Sequence, residues 1–261
     1  MSKPPKRVIS SKKSLAPNTV IWRYLRFDRF VWMLRERKLW FSRPFKFEDR
    51  WEGLFPPAYR KKAREYAQAN NIPFGELDQD LLKRLLKNRY AHFVNCWHVG
   101  EHESDAMWRL YALAPNGIAI QSTVGDVNQY LVPRPHGSEA VTYYDPSDDI
   151  CSPTIFSGPH DFCFKRNSFA WEQEYRFWFC DNNLLQNIEA GKAFWEGFLS
   201  PELQVHISQM RRIVKKVVVA PGASDEFIKE VMAACSKHLT GRPRIVVERS
   251  YSDQTWESFT K

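Results

Sequence analysis

The segment from Lys165 to Phe179 constrains the fold more than any other. It sets Lys165, Arg166, Arg176, Glu172 and Glu174 among Phe169, Trp171, Tyr175, Phe177 and Trp178, and it runs into Tyr175–Cys180, an alternating stretch that reads as a strand. Glu172 and Glu174 are two residues apart, so on an extended backbone they share one face. Carboxylates held together repel, and they persist where a cation, a metal or a reaction uses them. The alternative is purely structural, with each acid paired to Arg176 or Arg166.

The remainder of the chain gives this segment a body to sit in. At 261 residues the protein is long enough to bury a sizeable core. Its ten Trp, ten Tyr and eighteen Phe suit core packing and also base stacking. The formal charge is +8, but five basic residues (Lys3, Lys6, Arg7, Lys12, Lys13) fall in the first thirteen, so the body is only mildly basic. Residues 1–18 read as a disordered basic tail and 19–261 as one domain. Five scattered cysteines without a Cys-x-x-Cys pair suit a reducing compartment. Neither a spanning apolar run nor a signal peptide is evident, so a cytoplasmic location is expected.

In chain order, Val20–Leu25 predicts a first strand, Asp28–Arg37 a helix and Leu39–Ser42 a second strand stopped by Pro44. Arg23 sits between Trp22 and Tyr24 and needs either a carboxylate or an anionic ligand. Glu48, Asp49 and Glu52 fall in a turn that Asp49 is expected to anchor. Residues 58–71 and 76–90 predict two basic helices, a helical insertion over 57–91. His92–Trp97 predicts a strand, His98–Glu103 a polar loop, and Ser104 with Asp105 the start of a helix holding Met107, Trp108, Leu110 and Tyr111, which Pro115-Asn116-Gly117 ends. Gly117–Thr123 predicts a strand, as does Ala140–Tyr144, the one strand in a Pro-rich region over 125–164 that reads as surface or lid. Asn187–Phe198 predicts a helix with Phe194, Trp195 and Phe198 inward. Val214–Pro221, a helix from Ser224 to His238, and Arg244–Glu248 predict a strand, helix, strand unit with parallel strands. The expected class is α+β: a single domain with a mixed β-sheet, flanking helices and this C-terminal unit.

Several of these stretches together resemble the bacterial domain-of-unknown-function family 2971, which is similar to abortive-infection, phage-defence proteins. The resemblance rests on Trp22-Arg23-Tyr24, on Leu39–Pro44 followed by Phe47–Glu52, and on Asn95-Cys96-Trp97. It continues through Glu103-Ser104 with Met107-Trp108 and Tyr111, and through Lys165, Phe169, Trp171-Glu172, Glu174 and Arg176. Members commonly read Phe-Asn-Asp-Pro where this chain has Phe47-Glu48-Asp49-Arg50. The resemblance implies a defence- or toxin-like role and no particular reaction.

The residue order supports three functional expectations. The leading one is a site like that of ADP-ribosyltransferases of the Arg, Ser, Glu type, acting on NAD. Arg23 would hold phosphates, Ser122 and Thr123 the nicotinamide ribose, Glu172 the acceptor, and Glu174 the oxocarbenium-like state. Tyr24, Ser42, Trp108, Tyr111, Trp171 and Arg176 complete the expected cofactor contacts, and this reading assigns no metal ligand. The second is a nucleic-acid-binding module or nuclease, in which the tail and helices 58–90 meet phosphates while Asp49, Glu52, Glu172 and Glu174 hold divalent metal. The third is a non-catalytic sensor or interaction domain whose charges form a buried network.

Overall fold

A computed structural model describes residues 14–54, 57–112, 115–145, 161–241 and 245–253. The strands are β1 (Val20–Arg26), β2 (Lys38–Ser42), β3 (His92–Val99), β4 (Gly117–Thr123), β5 (Leu131–Val132), β6 (Gly137–Ala140), β7 (Thr142–Tyr144), β8 (Phe164–Arg166), β9 (Glu174–Cys180), β10 (Glu202–Ile207), β11 (Lys216–Val219) and β12 (Val247–Arg249). The helices are α1 (Phe27–Glu36), α2 (Pro57–Ala69), α3 (Phe74–Tyr90), α4 (Asp105–Met107), α5 (Val124–Tyr130), α6 (Asn182–Glu189), α7 (Met210–Ile213) and α8 (Asp225–His238). The fold is the expected single α+β domain. Its mixed sheet runs β12-β11-β4-β1-β3-β2-β10-β5, with β9 on β3 and β6 on β9, and a separate pair joins β7 to β8.

The branch point is β3. Along one edge it pairs with β9 from His92↔Cys180 to His98↔Glu174. Its other edge is shared: β1 takes the far end at Trp22↔His98 and Ile21↔Val99, whereas β2 pairs at Ser42↔Val94. β1 and β2 therefore part along β3, and Asn95, Cys96 and Trp97 face the fork between them. β1 turns away because its opposite edge is committed to β4 along its whole length, from Val20↔Thr123 to Arg26↔Gly117.

Alternation then sorts the side chains. Ile21, Phe41, Phe93, Trp97, Ile118, Ile120, Tyr175, Phe177 and Phe179 enter the main core with Phe30, Met33 and Leu34 of α1 and Phe227 and Val231 of α8. The opposite face buries Trp22 and Tyr24 with Met107 and Trp108, and Val94 and Trp178 with Phe162. The C-terminal unit forms as expected, with β11 parallel to β12 and Ser224 capping α8 through the Phe227 amide.

Several boundaries differ from expectation for identifiable reasons. Of the expected tail, residues 1–13 lie outside the described residues, while Leu15 packs on the core and the Pro17 carbonyl accepts from the Gly125 amide. The two expected helices of the 57–91 region form, and Leu86 and Tyr90 of α3 pack with Leu184 and Ile188 of α6. The helix expected over Asn187–Phe198 instead starts where Asp181 caps the Leu184 amide and stops before Gly191, whose φ is 67°. Trp195 and Phe198 are accordingly 67% and 82% exposed rather than inward. The strand expected over Ala140–Tyr144 breaks at Val141, whose amide reaches the Glu174 carbonyl, and continues as β7 beside β8. Residues 146–160 of the expected lid region, and Arg244 of the last expected strand, lie outside the described residues. Among the described residues no helix is long and apolar enough to cross a membrane.

Gly137 shows how tightly β6 closes on β9. A Cβ there would lie 2.2 Å from Trp178 Cζ2, in a ring buried against Phe162 and Val94. Gly137→Ala is expected to cost about 1–3 kcal/mol in urea denaturation. An unchanged midpoint at an unchanged slope would contradict this packing.

Candidate active site at the fork of the sheet

The site is built from a backbone turn that periodicity alone does not reveal. Asn167–Glu172 is a 3-10 segment, Gln173 is left-handed with φ 43° and ψ 51°, and only Glu174 begins β9. Glu172 and Glu174 therefore do not share a face of one strand, as expected for an extended chain. The turn at Gln173 carries Glu172 back towards Glu174, and one ammonium spans them: Lys165 Nζ lies 2.5 Å from Glu172 Oε2 and 3.6 Å from Glu174 Oε2.

A buried charge network surrounds that ammonium. Arg176, fully buried on β9, takes Glu52 through both terminal nitrogens at 2.8 and 2.9 Å. Its Nε meets Glu174 Oε2 at 3.1 Å, and it also donates to the Phe162 carbonyl. Lys165 reaches Glu52 at 3.3 Å. Asp49 anchors the preceding turn as expected, accepting from the Trp51 amide at 3.1 Å and from Arg166 at 2.9 Å. Two cations thus face three carboxylates, which leaves one negative charge in excess when all are ionised.

The two glutamates are driven apart in acidity. Burial would raise Glu174, but Arg176 and Lys165 outweigh it and hold its carboxyl below the ordinary range. Its stabilisation is therefore complete at neutral pH and is lost as the pH falls through that lowered pKa. Burial and then the Glu174 charge push Glu172 upwards, and Lys165 and Tyr111 only partly oppose them. Tyr111 donates to Glu172 Oε1 at 2.8 Å. It is presented by a π-helical turn, Trp108–Ala112, an irregularity often found at functional sites. His98 lies in β3 rather than in the expected polar loop. Its Nδ1 is 2.7 Å from the Glu172 carbonyl, so that nitrogen carries the hydrogen, and burial lowers the ring's pKa.

These groups line a cavity of about 370 Å³ that opens onto the fork. Of the residues expected from sequence, Arg23, Tyr24, Ser42, Tyr111, Glu172, Glu174 and Arg176 line it. Ser122, Thr123, Trp108 and Trp171 are not among its lining residues. Ser122 faces the core beside Ile118 and Ile120, fully buried, with its hydroxyl unpartnered. Thr123 caps α5 through the Asp126 amide, and Trp108 is buried with its indole N–H on Glu103. Trp171 is half-exposed and bonds the Ser168 carbonyl. Strand alternation explains the loss of Ser122: its register opposite Ile21 turns it to the core face.

Sequence reasoning passed over His98 and Trp40 as lining groups. Burial and the Glu174 charge hold the Cys96 thiol well above its ordinary value, which makes it a poor nucleophile. Asp49, Glu52 and Glu174 are engaged by guanidinium groups, and no three His, Cys, Asp or Glu side chains among the described residues are placed to hold a metal ion. On the basic helices, Arg64 faces Asp78, Lys87 pairs with Glu189, and Arg89 bonds the Arg50 carbonyl.

Compared with family models, with curated proteins and with solved structures, the chain matches none. The reading of the site therefore rests on its own chemistry.

Two substitutions separate framework from passenger. Arg176→Gln leaves Lys165 as the one cation facing Glu52, Glu172 and Glu174 and is expected to cost about 3–5 kcal/mol in chemical denaturation. Ser122→Ala removes a hydroxyl that has no partner, so its melting temperature is expected to equal or exceed that of the native chain. A marked loss in the second, or none in the first, would contradict these assignments.

Proposed function

We propose that the cavity is an enzyme active site for a small anionic substrate, and that the reaction is glycosyl transfer from NAD within a bacterial defence- or toxin-like protein. The observation that carries this reading is geometric: Glu172 and Glu174 stand together on the cavity wall, both within reach of Lys165 Nζ, in surroundings that raise the acidity of Glu174 and lower that of Glu172. Such divergence is how acid–base roles are divided between two like groups.

The chemistry follows from the charges. As the bond between the ribose C1′ and the nicotinamide nitrogen breaks, nicotinamide leaves with the bonding pair and the ribose becomes cationic. The excess negative charge of the Glu52, Glu172 and Glu174 cluster favours that state. The acceptor's oxygen attacks C1′ and its proton passes to Glu172, whose raised pKa makes it the stronger base. With Ser122 in the core and the Tyr111 hydroxyl committed to Glu172, Ser42 and Tyr24 are the other hydroxyl-bearing residues on the cavity wall that a ribose could meet. Arg23, on the opposite side of β3 from Glu174, supplies the positive wall.

Incubation with labelled NAD tests the reading: release of nicotinamide by the native chain and its loss in Glu172→Gln are expected. Absence of cleavage with every acceptor tried would discard NAD as substrate. Activity needs ionised Glu172, so it falls as the pH drops through the raised pKa. Tyr111→Phe removes a donor that favours the carboxylate, so the acid limb of the pH–rate profile is expected to move to higher pH. A limb that stays in place would assign the base to another group.

A further inference from the structure

Among the described residues Arg43 and Arg176 are buried arginines, and every nitrogen of each guanidinium has a partner. Arg43 bonds the Ser200 and Tyr90 carbonyls, pairs with Asp181 at 2.7 Å and stacks on Phe93. Arg176 is held by Glu52, Glu174 and the Phe162 carbonyl. Arg23 differs: its Nη1 donates to the Cys96 carbonyl at 2.8 Å, no carboxylate among the described residues pairs with it, and its Nε is buried without a partner. A second lining residue shares this condition, since the indole N–H of Trp40 is also buried without a partner. Burial pulls the Arg23 pKa down, as expected for a cation short of counter-charge.

The two donors are fixed around the same opening. The Asn95 side-chain amide donates to the Trp40 carbonyl at 2.7 Å and accepts from Trp97 Nε1 at 2.6 Å. The Arg23 guanidinium lies 6.0 Å from the centroid of the Trp97 ring. Trp40 is itself pinned, with the Trp32 ring stacked at 3.9 Å and the Arg29 guanidinium at 3.9 Å from its centroid. Orphaned buried donors are rare because each costs about as much as a lost hydrogen bond. Two on the wall of one cavity, one of them cationic, call for an acceptor with negative charge and several lone pairs.

We infer that the fork between β1 and β2 is an oxyanion subsite, in which a phosphate or carboxylate group of a small ligand accepts hydrogen bonds from Arg23 and Trp40. The inference rests on the reading of the cavity as a ligand site, but not on the proton transfer given to Glu172.

The test is a titration of the full chain followed by ¹H–¹⁵N spectra, with the Trp40 indole signal assigned through Trp40→Phe. Inorganic phosphate and acetate form two arms, and chloride at matched ionic strength is the control. The Trp40 signal is expected to move saturably with at least one of the two anions and not with chloride. The tighter arm shows whether the natural group is a phosphate or a carboxylate. Arg23→Gln is expected to weaken binding about a hundredfold and Trp40→Phe, followed by calorimetry, about tenfold. Ser122→Ala titrates like the native chain. Should Arg23→Gln not fold, Arg23→Lys keeps the charge, lacks the Nε donor and is also expected to bind more weakly. A Trp40 signal that follows chloride, or native affinity in a folded Arg23 variant, overturns the subsite. Anion binding that persists without NAD cleavage supports the subsite and discards the reaction, whereas cleavage without the Trp40 response overturns the subsite alone.

Discussion

The bidentate pairing of Arg176 with Glu52 is the interaction on which the rest of the site depends. A guanidinium at 0% exposure is tolerable only when its donors are met, and here Glu52, Glu174 and a carbonyl meet them. The pair ties β9 to the turn after β2, more than a hundred residues earlier in the chain. It also decides the character of the glutamates. With Arg176 and Lys165 settling Glu174 as a carboxylate, Glu172 is left beside a fixed negative charge. Replacement of such a network by apolar residues often keeps or raises stability, so a network of this kind fits a site that uses charge.

The cavity and the network have a common origin in the sheet. β3 keeps β9 along one edge and divides the other between β1 and β2, so space opens where two strands compete for one. The charges of β9 lie to one side of β3 and Arg23 lies to the other. A small ligand placed there meets opposite potentials without any loop having to close over it.

Much of the fold was legible because its strands are short, aromatic and bounded by Pro, Gly or caps; β1, β2, β3, β4 and the C-terminal unit fall close to their expected places. The site was legible in part. Arg23, Glu172, Glu174 and Arg176 stood out because charge among aromatics is costly, and Tyr111 through the motif that it shares with Met107 and Trp108. Ser122 was misplaced because a hydroxyl at a strand's end looks the same from either face, and only the register with Ile21 decides between them. The turn at Gln173 escaped notice because glutamine is not a residue that announces positive φ. His98 was hidden by the polar run that follows it, Glu101 to Glu103.

The fork has a mechanical side as well. Between Val94 and His98 no backbone ladder joins β3 to β1 or β2; one bond from Arg23 to Cys96 and one from Asn95 to Trp40 span the gap. Side-chain bonds rotate and stretch more readily than a ladder, so this is the seam along which the two halves of the sheet give first. A bound molecule seated in it would serve as the missing rung, joining both halves from within.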